Sequence, residues 1–198
     1  METATEKVVR LLLLYPKRRW RQKELALRAA CSKAFLSKLT KKFAAGGMVV
    51  KAGRDVVLIN PTKLITYWCS IRKLPKPVYI QTAASKDTIL EKVKGRKDIC
   101  LTLFSSAWLR VQLMKTSTVE LYVLQSGLSS VAKKLGQKSK MPTNVVLFPT
   151  DKDIFEGAKT IQGIAAVSPV QNYVDLMVYG GSGSRVATKL AEQYKLLG

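Results

Sequence analysis

The stretch SKAFLSKLTKKFAAGG, residues 32–47, decides how the first third of the chain is read. Ser32 is a good helix N-cap, because its hydroxyl can accept from the unpaired N–H groups of a first helical turn. Leu36, Leu39 and Phe43 follow at helical spacing, and Gly46 and Gly47 stop the helix. If those three residues face a core, the helical period puts Lys33, Ser37 and Lys41 on the opposite side, with Lys38 and Lys42 flanking them. The lysines are thus expected to form one face rather than a scatter. Such a face can be merely solvated, or it can be aimed at a polyanion.

The flanking sequence favours the second reading. Upstream, a helix over Thr5 to Tyr15 puts Val8, Leu11, Leu12 and Tyr15 on one stripe and ends at Pro16. A basic connector, PKRRWRQK at 16–23, carries Arg18, Arg19, Arg21 and Lys23. A second helix, Gln22 to Ala30, is expected to bury Leu25, Ala26 and Ala29. Downstream, MVVKAGRDVVLIN at 48–60 has two apolar strands around a Gly-Arg-Asp turn, a hairpin bearing Lys51 and Arg54. Helix, helix, short turn, helix and hairpin is the layout of a winged helix-turn-helix, assigned to residues 1–60.

In that layout the second helix of the pair enters the DNA major groove. Lysines contact phosphates as point charges, whereas bidentate base reading uses Arg, Asn or Gln. Residues 33–45 contain none of those three types, so little direct sequence discrimination is expected from this helix. The candidate DNA-binding residues are Arg18, Arg19, Arg21, Lys23, Ser32, Lys33, Ser37, Lys38, Lys41, Lys42, Lys51 and Arg54. Arg54 has two readings: a wing tip entering a narrow minor groove, or a turn residue that serves solubility.

The charge balance points the same way. The 198 residues hold 34 Lys+Arg against 13 Asp+Glu, a net charge of +21, which favours polyanionic partners and does not specify a fold. Residues 1–60 carry 14 of those basic and 4 of those acidic residues, a net of +10; the other 138 carry 20 and 9, a net of +11. Charge density is therefore about twice as high in the first segment. There is no histidine, so the commonest general base and metal ligand is missing. The cysteines Cys31, Cys69 and Cys100 are widely spaced and read as reduced, mostly buried thiols of an intracellular protein. The longest aliphatic run, Leu11 to Leu14, is too short to span a bilayer. Glu2 and Glu6 precede it and no small-residue cleavage site follows, unlike a secretory leader. A cytoplasmic protein with no membrane partner is expected.

After residue 60 the pattern changes. Residues 61–76 read as a connecting helix, TKLITYWCSIRKL, and a linker at LPKP. Residues 77–198 read as an α/β domain with a mixed sheet and two C-terminal helices. PVYIQT, DICLTLF, TVELYVL and NVVLFPT are its expected strands, and DTILEKV, SAWLRVQLM and LSSVAKKL its expected helices. The last two helices are placed at Pro169 to Val178 and Ser184 to Leu197. YGGSGS from Tyr179 is the only glycine-rich stretch; it lacks a P-loop lysine and follows a helix, so it reads as a turn between helices. The acidic residues are too dispersed for a two-carboxylate or metal site. No catalytic residue, metal site or cofactor is expected, and the protein reads as a non-enzyme.

The tail carries a resemblance. AAVSPVQNYVDLM followed by GGSGSRVATKLAEQ resembles the C-terminal signature of AbiEi-type antitoxins and related archaeal and bacterial transcriptional regulators. The matching positions are Ser168, Pro169, Val170, Gln171, Tyr173, Asp175 and Leu176, and the likeness extends to the NPTKLITYW connector at Asn60. Ser168 and Pro169 also suit the N-cap and first positions of a helix, and the motif reads as packing and capping rather than catalysis. The resemblance implies a winged helix followed by an α/β domain. It further implies a DNA-binding regulator, the antitoxin of a type IV pair whose partner would be a nucleotidyltransferase-like toxin. A homodimer is compatible with it. The alternative function is sequence-tolerant nucleic-acid binding, as a nucleoid or RNA-binding protein.

Overall fold

A computed structural model describes residues 3–114, 116–140 and 143–197; Glu2, counted against a leader peptide, lies outside them. The chain is mixed α/β and divides into two compact units, one made of the residues up to Arg72 together with those from Lys195 onward, the other of Lys73–Tyr194.

The first unit begins with α1 (Ala4–Leu14), which a capping box starts. Thr3 Oγ1 accepts from the Glu6 N–H at 3.2 Å, and Glu6 Oε2 accepts from the Thr3 N–H at 2.9 Å. Strand β1 (Trp20–Arg21), α2 (Gln22–Arg28), α3 (Lys33–Ala45), β2 (Val49–Ala52), β3 (Asp55–Leu58) and α4 (Pro61–Ile71) follow. Pro61 and the Asn60 cap, whose Oδ1 accepts from the Lys63 N–H at 2.9 Å, begin α4.

The three strands form one antiparallel sheet in the order β1-β3-β2. The basic segment was read only as a connector; its middle is a strand, with Trp20 opposite Val56 and Arg21 opposite Asp55. A two-residue strand has no alternation to detect, and what places it is the buried Trp20 ring. That ring meets Tyr15 edge-on at 5.8 Å. Helix α4 packs on α1 within this unit, burying Leu64, Ile65 and Trp68. Its end is fixed by Arg72, whose Nη1 donates to Glu6 Oε1 at 3.1 Å in a buried ion pair.

The second unit has a seven-stranded mixed sheet. Its strands are β4 (Val78–Gln81), β5 (Ile99–Leu101), β6 (Val119–Leu124), β7 (Gln137–Ser139), β8 (Val145–Thr150), β9 (Lys159–Ile161) and β10 (Ile164–Ala166). They lie in the order β7-β4-β8-β6-β5-β10-β9, parallel only at β8/β6 and β5/β10. Helices α5 (Lys86–Val93) and α7 (Leu128–Leu135) share a core with Val119, Leu121 and Val123 of β6 and Val145 and Leu147 of β8. The alternate residues of β6, Glu120 and Tyr122, point to the opposite face. There they bond to α6 (Leu103–Val111) and α8 (Pro169–Tyr179) respectively. Helix α9 (Ser182–Tyr194) packs on α6 and α8, so the sheet is covered on both faces.

Three expectations in this unit needed correction. DICLTLF is a strand only as far as Leu101; Thr102 takes the N-cap position of α6 without a side-chain capping bond, and Leu103 takes φ 44° at the helix's first position. The apolar run looks continuous because both segments are buried. Helix α6 ends at Val111 rather than Met114, since Gln112 turns left-handed at φ 49°. Helix α9 starts at Ser182, two residues before the expected Ser184, and stops at Tyr194. Only Gly180 and Gly181, both at positive φ, separate α8 from α9. Gly183 lets the two helices close, because a Cβ there would stand 2.5 Å from the Leu176 carbonyl oxygen.

The three cysteines are free thiols. Cys31 and Cys69 are only half-buried, while Cys100 is fully buried, and burial pushes its thiol up to about 12. Among the described residues, no helix is long and apolar enough to cross a membrane.

Candidate nucleic-acid interface

Helix α3 is built as its spacing predicts. Ser32 Oγ accepts from the Phe35 N–H at 3.1 Å, and Leu36, Leu39 and Phe43 are buried. Thr40 is buried as well; its hydroxyl donates to the Leu36 carbonyl at 2.9 Å, so it adds no unpaired polar group to the core. Lys33, Lys38, Lys41 and Lys42 are exposed, and Ser37 is half-buried between them. Lys38 and Lys41 make no ion pair among the described residues. Lys42 lies apart from the others, with its Nζ 5.0 Å from the centre of the Tyr67 ring on α4.

The tertiary structure then selects among the basic residues. A groove of about 390 Å³ is lined by Arg21, Gln22, Lys23, Lys33, Gly53 and Arg54. Its cations come from three places: the β1/α2 junction, the first turn of α3, and the hairpin tip. The tip is a two-residue loop, Gly53–Arg54, closed by the Ala52–Asp55 pair, and Gly53 supplies the positive φ (62°) that such loops need. The Gln22 N–H donates to the Arg54 carbonyl at 3.1 Å, which fastens the tip beside the start of α2.

The acids near this groove are already engaged. Arg18 bonds Glu24 and lies over the Trp20 ring, 4.2 Å from its centre. Arg19 Nε sits 3.6 Å from Asp55 Oδ2. Arg21, Lys23, Lys33 and Arg54 therefore face one concavity without a neutralising carboxylate among its lining residues. Lys51 is half-buried on β2, across from Val56, and does not line the groove.

Two residues escaped the reading of the sequence. Phe35 is exposed beside Lys38, an apolar ring on a cationic surface. Its position one residue before Leu36 puts it off the buried stripe, so the spacing held that signal. Gln22 lines the groove and adds an amide that can both donate and accept. Nothing in the sequence linked it to Arg54, 32 positions away.

In the second unit the Ser-Pro-Val-Gln motif is turned inward. Ser168 Oγ accepts from the Gln171 N–H at 3.2 Å and caps α8. Gln171 Nε2 donates to Asp175 Oδ1 at 2.9 Å. Asp175 Oδ2 accepts from the Tyr122 hydroxyl at 2.9 Å and from Thr102 Oγ1 at 3.2 Å. Gln171 and Asp175 are fully buried, so these side chains tie α8 to β6 and to the start of α6. A second basic concavity, about 900 Å³, is lined by Ser129, Ser130, Lys133, Lys134, Gly136 and Lys138 on α7 and β7. Lys140 is exposed just beyond it in sequence.

No protein-family model matches the chain, and neither a curated protein nor a solved structure matches it.

Proposed function

We propose that residues 1–60 are a winged helix-turn-helix that binds double-stranded DNA, and that the protein is a cytoplasmic, non-enzymatic transcriptional regulator. The convergence of Arg21, Lys23, Lys33 and Arg54 on one acid-free groove supports this reading most directly. A curved phosphate backbone fits a concave cationic surface better than it fits four separate surface charges. The element order helix–strand–helix–helix–strand–strand suits the layout, with α3 as the groove-entering helix and the Gly53–Arg54 tip as the wing. The resemblance of the Ser168–Leu176 segment to AbiEi antitoxins extends the proposal: the protein would repress its own operon and pair with a nucleotidyltransferase-like toxin.

Duplex binding followed by fluorescence anisotropy tests the first part. Neutralising about six phosphates should weaken binding on the order of a thousandfold between 50 and 200 mM salt. A flat response would remove the proposal's electrostatic basis. The antitoxin part is tested by co-expression with a nucleotidyltransferase encoded beside the gene: it requires a stable complex or relief of toxicity.

A second reading, sequence-tolerant nucleic-acid binding, is favoured by the exposed face of α3. That face offers lysines and Phe35 and has no Arg, Asn or Gln. Competition between operator and random duplex separates the two: a specific regulator discriminates by at least about a thousandfold.

A further inference from the structure

We propose that the second unit holds a binding site for a small apolar organic cation, of the size and charge of an arylalkylamine, with Glu120 as its anionic partner. The site is a cavity of about 400 Å³ on the face of the sheet that α6 and α8 cover, within the range of small-ligand pockets. Tyr79 of β4, Val146 and Phe148 of β8, Leu103 at the start of α6 and Tyr179 at the end of α8 line it. The Tyr179 ring is steadied by Phe104, which meets it edge-on at 5.3 Å.

Among these apolar and aromatic walls stands one carboxyl group. Glu120 is 6 % exposed, and it lines the cavity. The Ser105 N–H donates to its Oε2 at 2.9 Å, and the Ser105 hydroxyl donates to the same oxygen. The Glu120 N–H in turn donates to Ser105 Oγ at 3.0 Å. Both bonds to the carboxyl group thus fall on Oε2, and Oε1 receives neither. Oε1 is left for a molecule entering the cavity, and a charged donor would make the stronger bond to it.

The chemistry of a matching ligand follows from the walls. A cation hydrogen-bonds the free oxygen and neutralises the charge, and it is also attracted to the faces of aromatic rings. An apolar body attached to that cation fills the rest of the space. Burial pushes the Glu120 carboxyl above its ordinary range, against the opposing pull of the Ser105 bonds and the Lys86 charge. Lys86, whose Nζ donates to the Thr116 carbonyl at 2.9 Å, is not among the residues lining the cavity and acts on Glu120 through its charge. Lys76, which does line the cavity, is exposed. The site does not depend on nucleic-acid binding.

Tryptamine and its neutral isostere tryptophol test the proposal on the full-length protein, by calorimetry and by the amide shift of Ser105. Tryptamine should bind saturably and displace the Ser105 resonance, and tryptophol should bind at least about tenfold more weakly. Glu120→Gln should bring the two ligands to equal affinity. Val146→Trp, which fills the cavity from the β8 position paired with Glu120, should abolish both. Equal binding of the two ligands to the native protein would overturn the proposal. So would tryptamine affinity that survives either substitution, or an absence of saturable tryptamine binding at millimolar concentration.

Discussion

At the scale of single residues, two kinds of polar group can be tested: those on the surface and those in a buried network. Lys33 and Lys41 belong to the first kind. Replacing both with alanine should weaken binding to every duplex alike and lower the salt slope by about two, because phosphate contacts carry no sequence information. Anisotropy titrations on two unrelated sequences check this, and unchanged affinity in a folded variant would mean α3 does not face the nucleic acid. Asp175 belongs to the second kind. Tyr122→Phe removes one of its donors while keeping the ring, and should cost about 1–3 kcal/mol in a denaturant melt. Glu120 has a pH signature. Burial raises its pKa in the folded state, so the folded protein holds the proton more tightly than the unfolded chain. Its contribution to stability is complete below the ordinary carboxylate pKa and is lost as pH rises through the raised folded value. Glu120→Gln should flatten that loss in melts taken from about pH 4 to 8.

At the scale of elements, helix ends and helix faces are separately testable. Leu39→Ala empties a buried position of α3 and should destabilise the first unit by about 2–5 kcal/mol. A thermal melt showing no loss would mean that the helix is rotated from the position described, and its lysine face with it. Glu6 does two jobs at once: it closes the capping box of α1 and receives Arg72 from the end of α4. Arg72→Ala strands that carboxylate in a buried site, and should cost about 3–5 kcal/mol. Both residues are charged and were unremarkable in the sequence, where Glu6 figured only as an argument against a leader peptide. A pair 66 positions apart has no local signature.

At the scale of the whole molecule, the division after Arg72 makes separate folding a prediction. A fragment ending near Leu74 should fold and bind duplex DNA, more weakly than the full chain. It keeps α4, whose Leu64, Ile65 and Trp68 complete the core of the first unit. The remaining fragment should bind duplex poorly. Its own basic concavity at Lys133, Lys134 and Lys138 is the feature that could defeat this prediction. Gel shifts on the two fragments decide, and equal binding by both would transfer part of the interface to α7 and β7.

What the sequence determined by itself was local. The caps at Ser32 and Ser168, the stop at Gly46–Gly47, the apolar stripe of α3 and the hairpin turn all depend on residues within a few positions of one another, and each was legible from spacing. The exposure of the lysine face followed from the burial of the opposite stripe. What only the tertiary structure decided depends on contacts between distant segments. The strand at Trp20–Arg21 exists because β3 offers it an edge. The unexpected strands β7, β9 and β10 are three residues each, too short to show a period, and are fixed by their neighbours' hydrogen bonds. Of twelve candidate contact residues, the fold gathers Arg21, Lys23, Lys33 and Arg54 into one groove and ties Arg18 and Arg19 to Glu24 and Asp55. Charge counts could not make that choice, because a sum of charges is blind to direction and a groove is made by direction alone.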